Sequence, residues 1–130
     1  MESVLQNNNK NIRSIFSKVM MVVAASMSCF HIFTAAIGSL PTMEQRSIHL
    51  CFTLVLIFMK CIVKREGSFG FRDLIDSAFI IIGAVSTLYV YFLWEPMFMR
   101  APFPEVIDIV IGTLVVIAVL EGTRRELGKA

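Results

Sequence analysis

The sequence predicts an all-α integral membrane protein, a four-helix bundle with both ends in the cytoplasm, and three observations carry that prediction. Apolar residues make up 56% of the 130 residues and charged ones 17%, against about 45–50% and about 25% in a typical soluble domain. The charges are gathered into short clusters separated by long apolar runs, which is the pattern of a chain partitioning into a bilayer. Lys and Arg, finally, alternate between rich and poor connecting segments in the order that four crossings require.

The first run, Val19 to Gly38, contains no Lys, Arg, Asp or Glu. At about 1.5 Å per helical residue it reaches about 30 Å, the thickness of the hydrocarbon core, so it can span alone. Residues 1–18 before it are polar and read as a cytoplasmic lead, an interfacial helix or an extension of helix 1, because Ile12, Ile15, Phe16 and Val19 recur at helical spacing. Cleavage of this run as a signal peptide is disfavoured, since it exceeds the usual 7–15 apolar residues and no clear A-x-A site follows. The second run, 47–63, carries only Lys60 near one end, where a long side chain can snorkel to the headgroups. The third, 77–94, closes on Tyr89, Tyr91 and Trp94, an aromatic belt of the kind found where helices meet the interface. The fourth, 106–120, is shorter and holds Asp108 one turn in. Spans and short loops together occupy 19–121, and 122–130 form a basic tail.

Prolines are expected to end helices in loop 1 (Ser39 to Arg46, with Pro41) and loop 3 (Glu95 to Glu105, with Pro96, Pro102 and Pro104). Loop 2, Lys64 to Asp76, has Gly67 and Gly70 among charged residues and reads as a turn, with Ser68 a suitable labelling position. The lead, loop 2 and the tail with their flanking residues hold ten of the Lys and Arg residues (Lys10, Arg13, Lys18, Lys60, Lys64, Arg65, Arg72, Arg124, Arg125, Lys129), whereas loops 1 and 3 hold two, Arg46 and Arg100. That partition places both termini inside, in the cytoplasm. It also accounts for the net charge of +2 without nucleic acid.

Close helix contacts in lipid depend on small residues. Helix 1 is rich in them (Ala24, Ala25, Ser28, Cys29, Ala35, Ala36), helix 3 offers Gly83 with Thr87, and helix 4 offers Ala118 with Gly122. Helix 2 is bulky, with Leu50, Phe52, Leu54, Leu56, Ile57 and Phe58, and is expected to face lipid or a large partner. Cys29, Cys51 and Cys61 fall within spans without metal-ligand spacing and read as buried apolar side chains. No nucleophile elbow, phosphate loop or metal cluster is present in the sequence, so neither an enzyme nor a cofactor is predicted.

The remaining polar residues lie at span edges, where burial demands partners. On the outer side, Arg46 and His49 open helix 2 while Glu105 and Asp108 open helix 4, which allows a pair between them; alternatively each is hydrated, with Asp108 favoured by the helix N-terminus. On the inner side, Asp73 and Asp76 precede helix 3 while Glu121, Arg124 and Arg125 close helix 4. Glu121 can pair with either arginine along its own helix, leaving the other for an aspartate or anionic lipid.

Gln45-Arg46-Ser47-Ile48-His49-Leu50-Cys51-Phe52, Asp108, and Val119-Leu120-Glu121-Gly122-Thr123-Arg124-Arg125-Glu126-Leu127-Gly128 together resemble the N-terminal region of fused TRAP (tripartite ATP-independent periplasmic) transporter permeases. The branch working with TAXI-type binding proteins is the most similar, through its R-x-x-H-L-x-F and L-E-x-T-R-R-x-x-G stretches, and the likeness covers Phe30 to Gly128. Arg100-Ala101-Pro102 replaces a basic residue followed by glycine, and Gly122 a more usual alanine. The resemblance implies a secondary importer of organic acids, driven by an ion gradient and fed by a periplasmic solute-binding protein. In that family a small four-helix part supports a large permease domain, in cis or in trans, that carries the substrate and ion sites. Fused permeases continue for several hundred residues beyond the R-R-x-x-G motif, so a fragment, a truncated product or a separate small subunit is implied.

Two other classes compete with this reading. A four-helix multidrug exporter needs an acidic residue inside its first helix, and helix 1 has none. A non-transporting membrane assembly or regulatory protein would use the basic loop and tail to bind lipid or protein.

Overall fold

The computed structural model describes residues 2–38, 40–65 and 70–128. Ser39, Gly67, Ser68 and Lys129, which figure in the loops and tail above, lie outside the described residues. The chain forms four helices, α1 (Glu2–Ile37), α2 (Thr42–Lys64), α3 (Phe71–Met99) and α4 (Val106–Leu127), each long and apolar enough to cross a membrane. No strand occurs among the described residues.

Each helix overruns its apolar run. The polar lead from Glu2 is helical and continuous with the first span, and α4 carries its helix through Arg124 and Arg125 to Leu127. Pro96 does not end α3: it lies inside the helix, which stops at Met99. Proline lacks the N–H that a helix would direct to the preceding turn, but its carbonyl still serves the following turn, and Pro96 O accepts from Arg100 N–H at 3.1 Å. Pro41 does mark a boundary, as the N-cap of α2. At the end of α1, Gly38 takes φ +139°, a backbone conformation that L side chains rarely adopt, and this turns the chain out of the helix.

The packing reverses two expectations. Among the described residues α2 lies backbone to backbone against all three other helices, whereas α1 lies against α2 and reaches α3 through the Arg13 side chain. A third of the α2 span is buried, against 6% of the α1 span. The bulky helix is therefore the centre, and the helix rich in small residues is the flank; Ala25, Ser28, Cys29, Ala35 and Ala36 are exposed. The reason is complementarity between helices. Leu54 of α2, 2% exposed, fills the space left by glycines on both neighbours: a Cβ at Gly83 would lie 3.3 Å from Leu54 Cδ1, and one at Gly122 would lie 3.7 Å from Leu54 Cδ2. Small residues on α3 and α4 thus bind the large residues of α2 rather than one another. Phe58 and Ala118 complete the buried cluster, and Phe58 stacks on Phe79 of α3 with ring centroids 5.0 Å apart.

The buried residues of α3 are Asp73, Asp76, Gly83, Ser86 and Thr87. They fall on one face at helical spacing, Asp73 and Asp76 in the first two turns and Gly83, Ser86 and Thr87 two turns further on, a stripe facing the bundle, while Ile81, Val85, Leu88 and Phe92 point outward. The helix is polar and small inside and apolar outside, as lipid requires. The Thr87 hydroxyl is satisfied on its own helix by Gly83 O at 2.6 Å.

Candidate functional site

Ionisable side chains converge at the two ends of the bundle. The first helix starts, and the last ends, at what we term the terminal end; the other is the far end.

At the terminal end Asp73 and Asp76 are fully buried, at 0% exposure. Carboxylates so placed are costly unless paired and hydrogen-bonded. Asp73 occupies the third position of α3, where Gly70 N–H donates to its Oδ2 at 3.0 Å; this caps the helix and places the negative charge at the positive end of its dipole. Arg65, just beyond α2, then spans both acids, with Nη1 2.6 Å from Asp73 Oδ1 and Nη2 3.0 Å from Asp76 Oδ2. Arg125 of α4 pairs with the other oxygen of Asp76, and its Nε donates to Glu121 Oε1 at 2.7 Å. Its guanidinium also lies 5.4 Å from the Phe58 ring centre and 6.0 Å from that of Phe79. One side chain therefore joins α2, α3 and α4. Arg124 faces outward and, among the described residues, pairs only with Glu121, at 2.7 Å.

α1 is tied into the same end by Arg13. Its Nη1 donates to Ile62 O at 2.6 Å and to Arg65 O, supplying partners for carbonyls at the C-terminus of α2, and its Nη2 stands 3.7 Å from Asp73 Oδ2. Lys60 and Glu126 form a more exposed pair at 2.6 Å between α2 and α4.

The far end repeats the capping device. Asp108 is the third residue of α4 and accepts from Glu105 N–H at 3.2 Å. It is 7% exposed and also accepts from Tyr89 Oη at 2.9 Å and from Arg100 Nη2 at 3.2 Å, while Arg100 Nη1 holds Glu105 at 2.6 Å. The pairing of Asp108 or Glu105 with Arg46 or His49 does not form, because Arg100 in the short α3–α4 connection is nearer. His49 instead meets His31 of α1, Nε2 of His31 lying 3.0 Å from Nδ1 of His49, so one imidazole donates and the other accepts. Arg46 makes no ion pair among the described residues; with His31, His49, Thr42 and Gln45 it lines an open cavity of about 650 Å³.

Of the residues singled out from sequence, Asp73, Asp76, Glu121, Arg124 and Arg125 therefore come together, Asp108 stands in a separate cluster, and Arg46 and His49 lie beside the far-end cavity. Arg13, Arg65, Arg100, Tyr89 and His31 were missed. The arginines read as markers of membrane orientation, and nothing local reveals that Arg65 folds back onto acids eight and eleven residues later. Cys29 is exposed on α1 rather than buried, Cys51 is half-buried and Cys61 buried, all as free thiols. Among the described residues no three His, Cys, Asp or Glu side chains converge as a metal site would require.

Comparison with protein-family models, with curated proteins and with solved structures finds no match to this chain. The class rests on the fold itself: a multi-pass, all-helical membrane protein with four spans.

Proposed function

We propose that the chain is the small, scaffold-like membrane component of a TRAP-type secondary solute importer, supporting a larger permease domain and working with a periplasmic binding protein. The observation that carries this reading is how the buried charges are used. Asp73, Asp76 and Asp108 are each bound to arginines that join helices at the bundle ends, whereas the buried side chains described between the ends, among them Leu54, Ser86, Thr87 and Ala118, carry no charge. Solute and ion sites of secondary transporters lie near the bilayer midplane, on polar or broken helices. Broad apolar faces, including Val22, Ile32 and Phe33 of α1 and Val110, Val116 and Ile117 of α4, are available to lipid and to a larger domain.

The expected result is that the purified full chain in vesicles takes up no organic acid under a sodium or proton gradient, while it co-purifies with a TAXI-branch permease domain when the two are co-expressed. Saturable, gradient-driven uptake by the chain alone would overturn the scaffold role, and failure to co-purify would count against the TRAP assignment. A non-transporting assembly or regulatory protein is the second reading, favoured by the arginine-rich cavity at the terminal end.

The TRAP-type reading implies a bacterial or archaeal inner membrane, and we place the terminal end on its cytoplasmic side from the excess of Lys and Arg there. In a background with the native cysteines replaced, Lys64→Cys should resist an impermeant thiol reagent in intact cells and react after permeabilisation. The far-end Thr42→Cys should react in intact cells. The opposite pattern reverses the orientation.

A further inference from the structure

At the far end α1 is fastened to the bundle by a contact that can change its charge. The α1 span is only 6% buried. Near its end it meets α2 through His31 on His49, with Phe30 beside Phe52 at 6.3 Å between ring centres. Histidine is the side chain that ordinarily gains or loses charge between pH 5 and pH 8. His31 Nε2 and His49 Nδ1 are 3.0 Å apart, so a single hydrogen lies between them. The ring that supplies this hydrogen has its other nitrogen free. A first added proton settles there, and the bond survives, strengthened by the charge. The accepting ring already carries a hydrogen on its remote nitrogen. A second proton can therefore enter only at the nitrogen that accepts the bond, which turns both facing nitrogens into donors and sets two positive charges against each other. Either tautomer leads to the same end point.

The surroundings do not offset that repulsion. Arg46, one turn earlier on α2, lines the same open cavity of about 650 Å³ as the two histidines and adds a third positive charge. From Val19 to Gly38 α1 has no Asp or Glu. Glu44, in the first turn of α2, does not line the cavity. Glu105 and Asp108 of the α4 cap are taken up by Arg100, and Asp108 also by the Tyr89 hydroxyl of α3. We propose that the His31–His49 contact is a pH-sensitive latch, which holds the far end of α1 on α2 until both imidazoles are charged and then releases it. The closed form binds fewer protons than the open one, so closure is favoured as pH rises and lost as pH falls. The open cavity gives water, and hence protons, access to both rings. The latch requires neither the transporter assignment nor a particular orientation in the membrane.

The test places spin labels on the full-length chain in lipid nanodiscs, at Ile37→Cys on the last turn of α1 and Val106→Cys on the first turn of α4, with the native cysteines replaced. Both positions are exposed. Electron paramagnetic resonance reads the distance between the labels. One distance is expected at pH 8, and at pH 5 a second should appear, the ratio of open to closed molecules rising by at least about tenfold. His31→Gln and His49→Gln each leave at most one charge in the pair, and glutamine can both donate and accept. Each should hold the closed distance at both pH values, with helicity checked by circular dichroism. Loss of the pH response in both variants, whether they stay closed or open, supports the latch. A wild-type distance unchanged between pH 8 and pH 5, or a glutamine variant that responds to pH as the wild type does, would overturn the proposal.

Discussion

Arg125→Asp should destabilise the protein by about 3–5 kcal/mol, the cost typical of removing one partner from a buried ion pair. Arg125 is 15% exposed and its partner Asp76 is fully buried. The substitution also removes the guanidinium from the Phe58 and Phe79 rings and sets a new carboxylate beside Asp76 and Glu121. Arg124→Asp, one residue away, should leave the unfolding midpoint nearly unchanged, because that side chain is 71% exposed and among the described residues pairs only with Glu121. Asp76→Arg added to Arg125→Asp should recover part of the loss but not all, since Arg65 Nη2 lies 3.0 Å from Asp76 Oδ2 and would then face a like charge. Unfolding in detergent micelles by added dodecyl sulfate, followed by circular dichroism, measures all three. Equal losses from Arg124→Asp and Arg125→Asp would contradict the assignment of Arg125 as the residue that joins the helices.

A second large effect is expected at the centre of the bundle. Leu54→Ala removes the side chain that fills the spaces over Gly83 and Gly122. Leu→Ala in soluble cores costs about 2–5 kcal/mol, as a transfer term plus a cavity term. In a bilayer the unfolded reference keeps its leucines in hydrocarbon, so the packing term dominates, and a loss of about 2 kcal/mol is expected. Gly83→Ala alone should cost about 1 kcal/mol, because its Cβ would sit 3.3 Å from Leu54 Cδ1 and 3.4 Å from Leu54 Cβ, and the leucine must shift. Combined, the two should cost less than their sum by roughly 1 kcal/mol, since the new methyl enters space that the leucine has vacated. Strictly additive losses in the same unfolding assay would show that these residues are not coupled.

The number of helices and their membrane character were legible because bilayer thickness imposes a length and a composition that any spanning helix must meet. The grouping of Asp73, Asp76, Glu121, Arg124 and Arg125 at one end followed from the same topology, which brings the start of α3 beside the end of α4. The four-residue pairs Gly83 with Thr87 and Ala118 with Gly122 also marked buried faces correctly.

Partner choice was decided by the tertiary structure. Which helix lies at the centre could not be read from small residues alone, because a small residue is useful only opposite a large one, and that pairing is set across helices. Among the described residues α1 has the small residues but lies backbone to backbone against α2 alone, and α2 has the bulk that the glycines of α3 and α4 accommodate. Likewise, Arg124 and Arg125 are equivalent as charges in sequence. The 100° between adjacent helical residues turns Arg125 onto the rings and Asp76, and leaves Arg124 outside. Arg13 and Arg65 were visible only as markers of orientation, because their partners lie across helices or beyond a turn; Arg100 supplanted Arg46 at Asp108 for the same reason. Composition and periodicity thus determined that this chain crosses a membrane four times and where its charges gather, while the rotation of each helix about its axis, which only packing sets, decided which charges meet.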